Sequence, residues 1–390
     1  MDWVLLVLVI FVTVPLVVLA SELFLSLIAK NRPSARLVAH RTSCAILVPA
    51  HNEEAGITKT IKSIQDQMRP GDRLVIVADN CADRTAEKAR TTGCEVLERF
   101  DDINRGKGFA LDFGMKHLLT APPEIVVVID ADCGLHPGSL DVIVYQAERT
   151  NRPVQAVYLL NARPNASAKE QISNFAMLVK NRVRPYGLHQ IGVPCLLTGT
   201  GMAFPWPMFR DAEHGTGNIV EDMKLGVDLA LVGTPPLFEP DALVTSDPAP
   251  TSLATIKQRT RWEHGHVKTL TTQAPRLLLT GLKKFRASLV LLALDLAVPP
   301  VSLLLTTWAF MLVVCAAWWQ LEGGWRILPI ILTSAFGLNL VALAMVWLKF
   351  GRNTVKLITL AKIPWYIVSK IPIYLKLVVS PQKKWVRTDR

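Results

Sequence analysis

Apolar residues are distributed unevenly along the chain, and their pattern divides it into four segments. Residues 3–20 are uncharged and almost wholly apolar, and residues 21–28 extend this run with one acid, Glu22. A helix that crosses the hydrocarbon core of a membrane needs roughly 20 such residues. The pattern therefore predicts a transmembrane helix at 1–29. The basic residues that follow it predict a retained anchor with the later chain in the cytoplasm.

The second segment, residues 30–285, has the composition of a soluble α/β domain. The runs CAILVPA, RLVIVAD, IVVVID and VQAVYLL are short, apolar and rich in β-branched residues, and several are separated by stretches with a helical pattern at 56–67, 83–91 and 107–119. Apolar strands without alternation, separated by helices, are typical of a mainly parallel sheet that is covered on both faces. In such sheets ligands bind beyond the carboxyl ends of the strands.

Hydrophobic residues dominate again in the last two segments. Residues 286–350 predict an interfacial helix at 287–298 and two transmembrane helices at 299–319 and 327–348. Residues 351–390 predict basic interfacial segments and a cytoplasmic tail, in which lysines reach toward lipid headgroups.

Charge and cysteine content narrow the class of protein. The net charge is +11, and residues 349–390 alone contain ten Lys or Arg against one acid, Asp389. A basic tail beside apolar segments favours an anionic membrane surface as partner. No motif that reads RNA or DNA is present, so nucleic acid is not expected as a partner. The six cysteines form no CxxC pair, which favours reduced thiols in a protein that faces the cytosol.

Acidic residues follow two of the predicted strands. Asp79 ends RLVIVAD, and Asp130 and Asp132 end VVVIDAD after five β-branched residues. Carboxylates in a DxD pattern suit a hard divalent cation, which can bridge a diphosphate. A solvated turn is the ordinary alternative for an isolated DxD. The position after a buried strand favours a metal site.

Further polar motifs follow other elements, and each has an ordinary structural alternative. In the ordinary alternative, an acid just before or at the start of a helix is stabilised by the positive end of the helix dipole, and glycines simply form a turn. In the functional interpretation, Glu53 lies in a loop that binds base and ribose, and Lys107 with Arg105 lies in a phosphate-binding turn. Thr200 with Gly201 forms a turn that lets a ligand approach, and Glu221 with Asp222 supplies a general base. Gln258, Arg261 and Trp262 lie on a basic helix that carries Trp and Gln among its cations.

Taken together and in this order, the motifs resemble those of the membrane-integrated family 2 glycosyltransferases, which include cellulose, chitin and hyaluronan synthases and small bacterial exopolysaccharide and chitooligosaccharide synthases. The motifs are PAHNEE, ADNCADRT, RGKGFAL, DAD, TGTG, ED and QRTRW, and they span residues 48–262. The resemblance implies a GT-A domain, the nucleotide-diphospho-sugar transferase fold of class α/β, flanked by amino-terminal and carboxy-terminal transmembrane and interfacial helices.

The resemblance also implies a role for each motif residue. Asp222, with Glu221, would act as catalytic base, although Val220 departs from the usual first residue of that element. Mg²⁺ or Mn²⁺ would be held by Asp132 and Asp130. Trp262, Thr200 and Gly201 would contact the acceptor. The nucleotide-sugar donor would be bound by Glu53, Asp79, Lys107, Asp130, Gln258 and Arg261.

The implied function is metal-dependent transfer of a hexosyl or N-acetylhexosaminyl group from a nucleotide sugar to a growing glycan in exopolysaccharide biosynthesis. The donor is expected to be a UDP-sugar. The transfer would invert the anomeric centre and form a β-linkage. Single-sugar transfer to a polyprenyl-linked or other lipid acceptor stays open, as does a non-catalytic role in a polysaccharide export complex. The expected partners are the donor, a glycan or lipid-linked glycan acceptor, membrane lipids and export proteins. The expected location is the bacterial inner membrane, with the catalytic domain facing the cytoplasm.

Overall fold

The computed structural model of the chain describes residues 1–28, 38–163, 165–215, 220–248 and 252–379. The chain divides into two compact units, which we call the sheet unit and the helical unit. The predicted boundaries at residues 29, 285 and 350 rest on composition and stay predictions. Of the described residues, the sheet unit comprises those in 38–161 and 194–262, and the helical unit comprises those in 1–28, 162–193 and 263–379.

Among the described residues, eight strands form one sheet at the centre of the sheet unit. The strands are β1 Cys44–Ala50, β2 Arg73–Asp79, β3 Glu95–Arg99, β4 Ile125–Val128, β5 Cys133–Leu135, β6 Val154–Leu160, β7 Met202–Pro205 and β8 Leu237–Ser246. Their order is β3-β2-β1-β4-β7-β6-β8-β5. β1 to β4 run parallel, as do β6 and β8, whereas β7 is antiparallel to β4 and β6, and β5 to β8. The predicted mainly parallel α/β sheet is confirmed.

The burial of the central strands explains why their sequences do not alternate. Residues 45–48 of β1 and 75–77 of β2 have no solvent-accessible surface, so both faces of the sheet are covered. One core cluster joins Leu47 of β1 and Val77 of β2 to Phe204 and Phe209 farther along the chain. This packing fixes the parallel strands in register, so that β1, β2 and β4 end at the same edge of the sheet.

The described part of the chain contains sixteen α-helices and two π-helical segments, Val179–Val183 and Trp347–Gly351. The α-helices are α1 Asp2–Ile28, α2 Ile57–Gln65, α3 Thr85–Arg90, α4 Lys107–Leu118, α5 Ser139–Thr150, α6 Ala168–Leu178, α7 Arg184–Gln190, α8 Trp206–Arg210, α9 Glu221–Val232, α10 Ser252–Lys283, α11 Ala287–Ala297, α12 Val301–Glu322, α13 Ile327–Val346, α14 Leu357–Leu360, α15 Ile363–Val368 and α16 Ile371–Val379.

Three helices of the described residues are long and apolar enough to cross a membrane: Asp2–Ile28, Val301–Glu322 and Ile327–Gly351. Residues 354–379 instead form the short helices α14 to α16, because Pro364 and Pro372 interrupt the run. The three long apolar helices that the hydrophobic pattern predicts are therefore present among the described residues.

Contacts at the two ends of α1 define the direction of the long helices within the helical unit. Asp2 Oδ1 accepts a hydrogen bond from Trp318 Nε1 at 2.8 Å, and Lys349 Nζ donates to the carbonyl of Leu27 at 2.9 Å. Helix α1 is therefore antiparallel to α12 and parallel to α13. The chain leaves α1 and α13 at the same end of the unit, as the basic residues after both helices predict.

A buried ion-pair triad holds three elements of the helical unit together. Arg184, at the start of α7, donates from Nε to Glu22 Oε2 of α1 at 2.5 Å. Its Nη2 donates to Asp295 of α11, to Oδ1 at 2.6 Å and to the carbonyl at 2.9 Å. Close approach of α7 to α1 depends on Gly187, since a Cβ there would lie 2.2 Å from the carbonyl oxygen of Glu22.

Candidate functional site

A cavity of about 510 Å³ opens in the sheet unit where β1, β2 and β4 end. Its position agrees with the rule that open α/β sheets bind ligands beyond the carboxyl ends of their strands. Eight of the residues singled out in the sequence line it together, although they come from five separate parts of the chain: Glu53, Asp79, Arg105, Lys107, Asp130, Asp132, Gln258 and Arg261.

Asp79 is held rigidly at one side of this cavity. Its Oδ1 accepts hydrogen bonds from Arg99 Nη1 at 2.6 Å and from Asn80 Nδ2 at 3.1 Å. Asn80 adopts the left-handed conformation, with φ of 52°, which asparagine tolerates better than most residues. Its backbone N–H donates to the carbonyl of Arg99 at 2.7 Å, so the turn after β2 is tied to β3.

The DAD sequence follows β4 at the opposite side of the cavity. Carboxylate oxygens of Asp130 and Asp132 and the sulfur of Cys133 lie within 4.8 Å of one another. Burial raises the pKa of the Cys133 thiol well above its usual range, so the thiol stays protonated. The two carboxylates supply the oxygen ligands that Mg²⁺ and Mn²⁺ prefer, and they fit such an ion.

Lys107, the first residue of α4, connects the DAD carboxylates to the TGTG turn. Its ammonium donates to Asp130 Oδ1 and to the carbonyl of Gly199. Burial alone would lower the pKa of Lys107, but Asp130, Asp222 and Glu221 outweigh it and the pKa is raised. The ammonium therefore stays charged inside the cavity, where it can bind a phosphate oxygen.

Glu221 and Asp222 begin α9 close to this lysine. A side chain on Gly199 would lie 3.0 Å from Asp222 Oδ2 and 3.6 Å from Lys107 Nζ, which places all three together. Burial raises the pKa of Glu221 to about 8, although the charge of Lys107 opposes the shift. Glu221 is therefore mainly protonated at neutral pH and can donate a hydrogen bond. Neither acid is among the residues that line the cavity described above.

The QRTRW sequence lies on α10. Gln258 and Arg261 are three residues apart, so they share one helix face, and both line the cavity. Trp262 is half-buried and does not line it. The predicted contact of Trp262 with an acceptor stays a prediction.

Thr200 and Gly201 do not line the cavity. Thr200 is fully buried, and its Oγ1 accepts from the backbone N–H of Asp130 at 3.0 Å. Gly201 has φ of 66° and donates its N–H to the carbonyl of Val128. These contacts give the turn a role in positioning the DAD loop. The predicted acceptor contact of both residues stays a prediction.

Arg99 is the main residue of this region that the sequence patterns do not reveal. It lies opposite Asp79 in the register of β2 and β3. Within EVLERF it has no motif around it, so only the pairing of the two parallel strands could have indicated its contact. Phe100 follows it, lines the cavity and is 70% exposed.

A family model described as "Glycosyltransferase like family 2" matches residues 40–265. This region contains every residue that lines the cavity.

Curated proteins and solved structures agree with this match. The probable glycosyltransferase YdaM of Bacillus subtilis is 25% identical over 57% of this chain and 54% of its own length. A poly-beta-1,6-N-acetyl-D-glucosamine synthase of Staphylococcus epidermidis is 26% identical over 60% of this chain and 59% of its own. The chain thus spans less than two thirds of the curated relatives' length.

A solved structure extends the likeness to almost the whole chain. The mannosyltransferase PcManGT from Pyrobaculum calidifontis, in complex with GDP-Man and Mn²⁺, is similar with a TM-score of 0.53 and 18% identity, over 95% of this chain and 100% of that one. The likeness supports a GT-A fold for the sheet unit.

Proposed function

The chain belongs to glycosyltransferase family 2, and we propose that it transfers a sugar from a UDP-sugar to a growing glycan, with inversion at the anomeric carbon and formation of a β-linkage. The observation that carries the proposal is the convergence of Asp79, Lys107, Asp132 and Arg261 on one cavity. Residues so far apart in sequence would line a common cavity by chance only rarely.

The two sides of the cavity suit the two ends of such a donor. Asp79 provides a carboxylate for the nucleobase, and Lys107 and Arg261 provide positive charge for the diphosphate. Asp130 and Asp132 would hold Mg²⁺ or Mn²⁺, which when bound neutralises charge on the diphosphate and assists its departure. The fold relative with bound Mn²⁺ and a nucleotide sugar supports this part of the proposal.

The proposed chemistry is one displacement. The acceptor hydroxyl oxygen forms a bond to the anomeric carbon while the bond from that carbon to the diphosphate oxygen breaks. Asp222 takes the proton of the hydroxyl, and the electron pair leaves with the nucleoside diphosphate. Lys107 and Arg261 stabilise the negative charge that develops on the leaving group. Glu221 is protonated beside Lys107 and so adds no second negative charge next to Asp222.

Exopolysaccharide synthesis is the process that the relatives support, through the poly-beta-1,6-N-acetyl-D-glucosamine synthases. We place the enzyme in the bacterial inner membrane with the sheet unit in the cytoplasm, since nucleotide sugars are made there and basic residues follow α1 and α13. Single-sugar transfer to a lipid-linked acceptor is the second candidate. It is favoured by the short apolar helices α14 to α16, which suit the membrane surface.

The test is release of UDP by the purified full chain from a panel of UDP-sugars with Mn²⁺. Asp222→Asn should lower turnover by about 100-fold or more, the usual contribution of a general base. Asp228→Asn is a matched control, because Asp228 lies on the same helix and pairs with Lys224 at 2.7 Å outside the cavity. Wild-type turnover by Asp222→Asn would refute the base assignment.

Product lengths separate the two candidate functions. A ladder of product lengths indicates a polymer, whereas a single added sugar indicates a lipid-linked acceptor.

A further inference from the structure

We propose that Arg99 determines which nucleobase the donor cavity accepts, by occupying one oxygen of Asp79 and leaving the other as a single acceptor. A single acceptor fits the one N–H of uracil and not the paired N–H groups of guanine. The inference rests on the proposed function, because it takes Asp79 as the contact for the base of a nucleotide donor.

The hydrogen bonds of Asp79 are distributed unequally between its two oxygens. Arg99 and Asn80 both donate to Oδ1, at 2.6 and 3.1 Å. A carboxylate oxygen offers two lone-pair sites, so Oδ1 is fully used. Within the described residues no group donates to Oδ2, and Asp79 lines the cavity. The carboxylate therefore presents one acceptor oxygen to a ligand.

Arg99 cannot easily release Oδ1, because its other contacts fix it. Its Nη2 donates to Asp101 Oδ2 and to the carbonyl of Asn104, both at 2.8 Å. The guanidinium lies 5.8 Å from the centre of the Phe109 ring, and its side chain is 10% exposed. The partner Asn80 is also held, since its Oδ1 accepts from the N–H of Asp101 at 2.9 Å.

The two candidate bases differ in what they ask of a carboxylate. Guanine presents two adjacent parallel N–H groups, which a carboxylate with both oxygens open accepts as a pair. Uracil presents one N–H between two carbonyl groups and needs a single acceptor. The exposed ring of Phe100, next to Arg99, gives a flat surface at this side of the cavity on which a base can stack. Asp79 thus offers the hydrogen-bonding pattern that uracil requires.

The experiment is calorimetric binding of UDP and GDP, each with Mn²⁺, to the full chain in detergent. Wild type should bind UDP at least about tenfold more tightly than GDP, a factor typical of one unsatisfied hydrogen-bonding group. In Arg99→Leu the Oδ1 of Asp79 keeps only the hydrogen bond from Asn80, so each carboxylate oxygen offers a lone pair and the ratio of UDP to GDP affinity should fall by about tenfold. Arg99→Lys keeps one donor and should give an intermediate ratio. This variant tests the proposal if the leucine variant does not fold.

Arg90→Leu is the matched control. Arg90 pairs with Glu98, the residue that precedes Arg99 on β3, and neither lines the cavity. The ratio of UDP to GDP affinity in Arg90→Leu should equal that of wild type. Tighter binding of GDP by wild type, or an unchanged ratio in the Arg99 variants, would overturn the role of Arg99 and leave sugar transfer standing. Failure of wild type to bind either nucleotide would overturn the proposed function itself, and this inference with it.

Discussion

At the scale of single residues, burial distinguishes two adjacent acids of the candidate site. Glu221 and Asp222 are neighbours at the start of α9, yet burial raises the pKa of Glu221 to about 8. A carboxyl group that is protonated at pH 7 cannot act as a base there. Under the proposed function this leaves Asp222 as the base, a distinction that two adjacent acids in a sequence do not reveal.

The raised pKa of Glu221 predicts a pH dependence of stability. Its folded-state pKa of about 8 exceeds the ordinary value of 4.5, so the folded protein binds the proton more tightly. The resulting stabilisation is fully present below pH 4.5 and is lost as the pH rises through 8. Glu221→Gln should remove this component. Thermal melting of metal-free protein from pH 5 to 9 should therefore show a smaller decline for the variant; parallel curves would refute the assignment.

Residue identity alone singled out one member of the Asp79–Arg99 pair beside the cavity. Asp79 was visible because an acid after a buried apolar run has few structural reasons to be there. Arg99 was not, because its contact with Asp79 depends on the register of β2 and β3, 20 positions apart in sequence. Local patterns specify strands, whereas register is fixed by tertiary packing.

At the scale of elements, the turn before β7 holds the DAD loop in position through hydrogen bonds to its backbone. Thr200 binds the backbone of Asp130, and Gly201 fits between Val244 and Ala156, where a Cβ would lie 2.9 Å and 3.0 Å from their side chains. The apolar runs predicted β1, β2, β4 and β6 to within about two residues, whereas the parallel strands β3 and β8 were not predicted. The four-residue antiparallel β7 was not predicted, since MAFP has no pattern that distinguishes a strand from a turn.

Gly201→Ala should destabilise the sheet unit. The left-handed backbone would cost about 1–2 kcal/mol and the close packing about 1–3 kcal/mol more. Gly93→Ala is the control, because Gly93 has φ of 78° but a Cβ added there would meet no atom within 4 Å, so only the backbone component applies. Chemical unfolding in detergent would compare the two. Equal losses of unfolding free energy would show that packing at Gly201 is unimportant.

At the scale of the whole molecule, the triad of Glu22, Arg184 and Asp295 joins parts of the chain that are far apart in sequence. Arg184 is 162 residues from Glu22 and 111 residues from Asp295. The hydrophobic pattern predicted the helices that carry the two acids, but no local signal pairs either acid with Arg184. The sequence thus predicted the long helices, and only the structure shows what holds them together.

Removal of Arg184 should strongly destabilise the helical unit. Arg184→Met leaves two buried carboxylates without a cation, a change that typically costs about 3–5 kcal/mol. Replacing all three residues by Met or Leu should restore much of that stability, because no uncompensated charge is then buried. The exposed Arg182 supplies the control variant Arg182→Met, which should melt like wild type. A melt of Arg184→Met equal to that of the control would show that the triad contributes little.

The contacts of α1 have a consequence for how the protein is made. This helix leaves the ribosome before α13, yet the carbonyl of Leu16 receives a hydrogen bond from Asn339, 323 residues later. Glu22 gains its cation once Arg184 has been translated, but the carbonyl of Leu16 lacks this additional donor until Asn339 has been translated. Packing of α1 against α13 is therefore completed only after Asn339 has been translated, and a nascent chain stalled before α13 should be a preferred substrate for quality-control proteases.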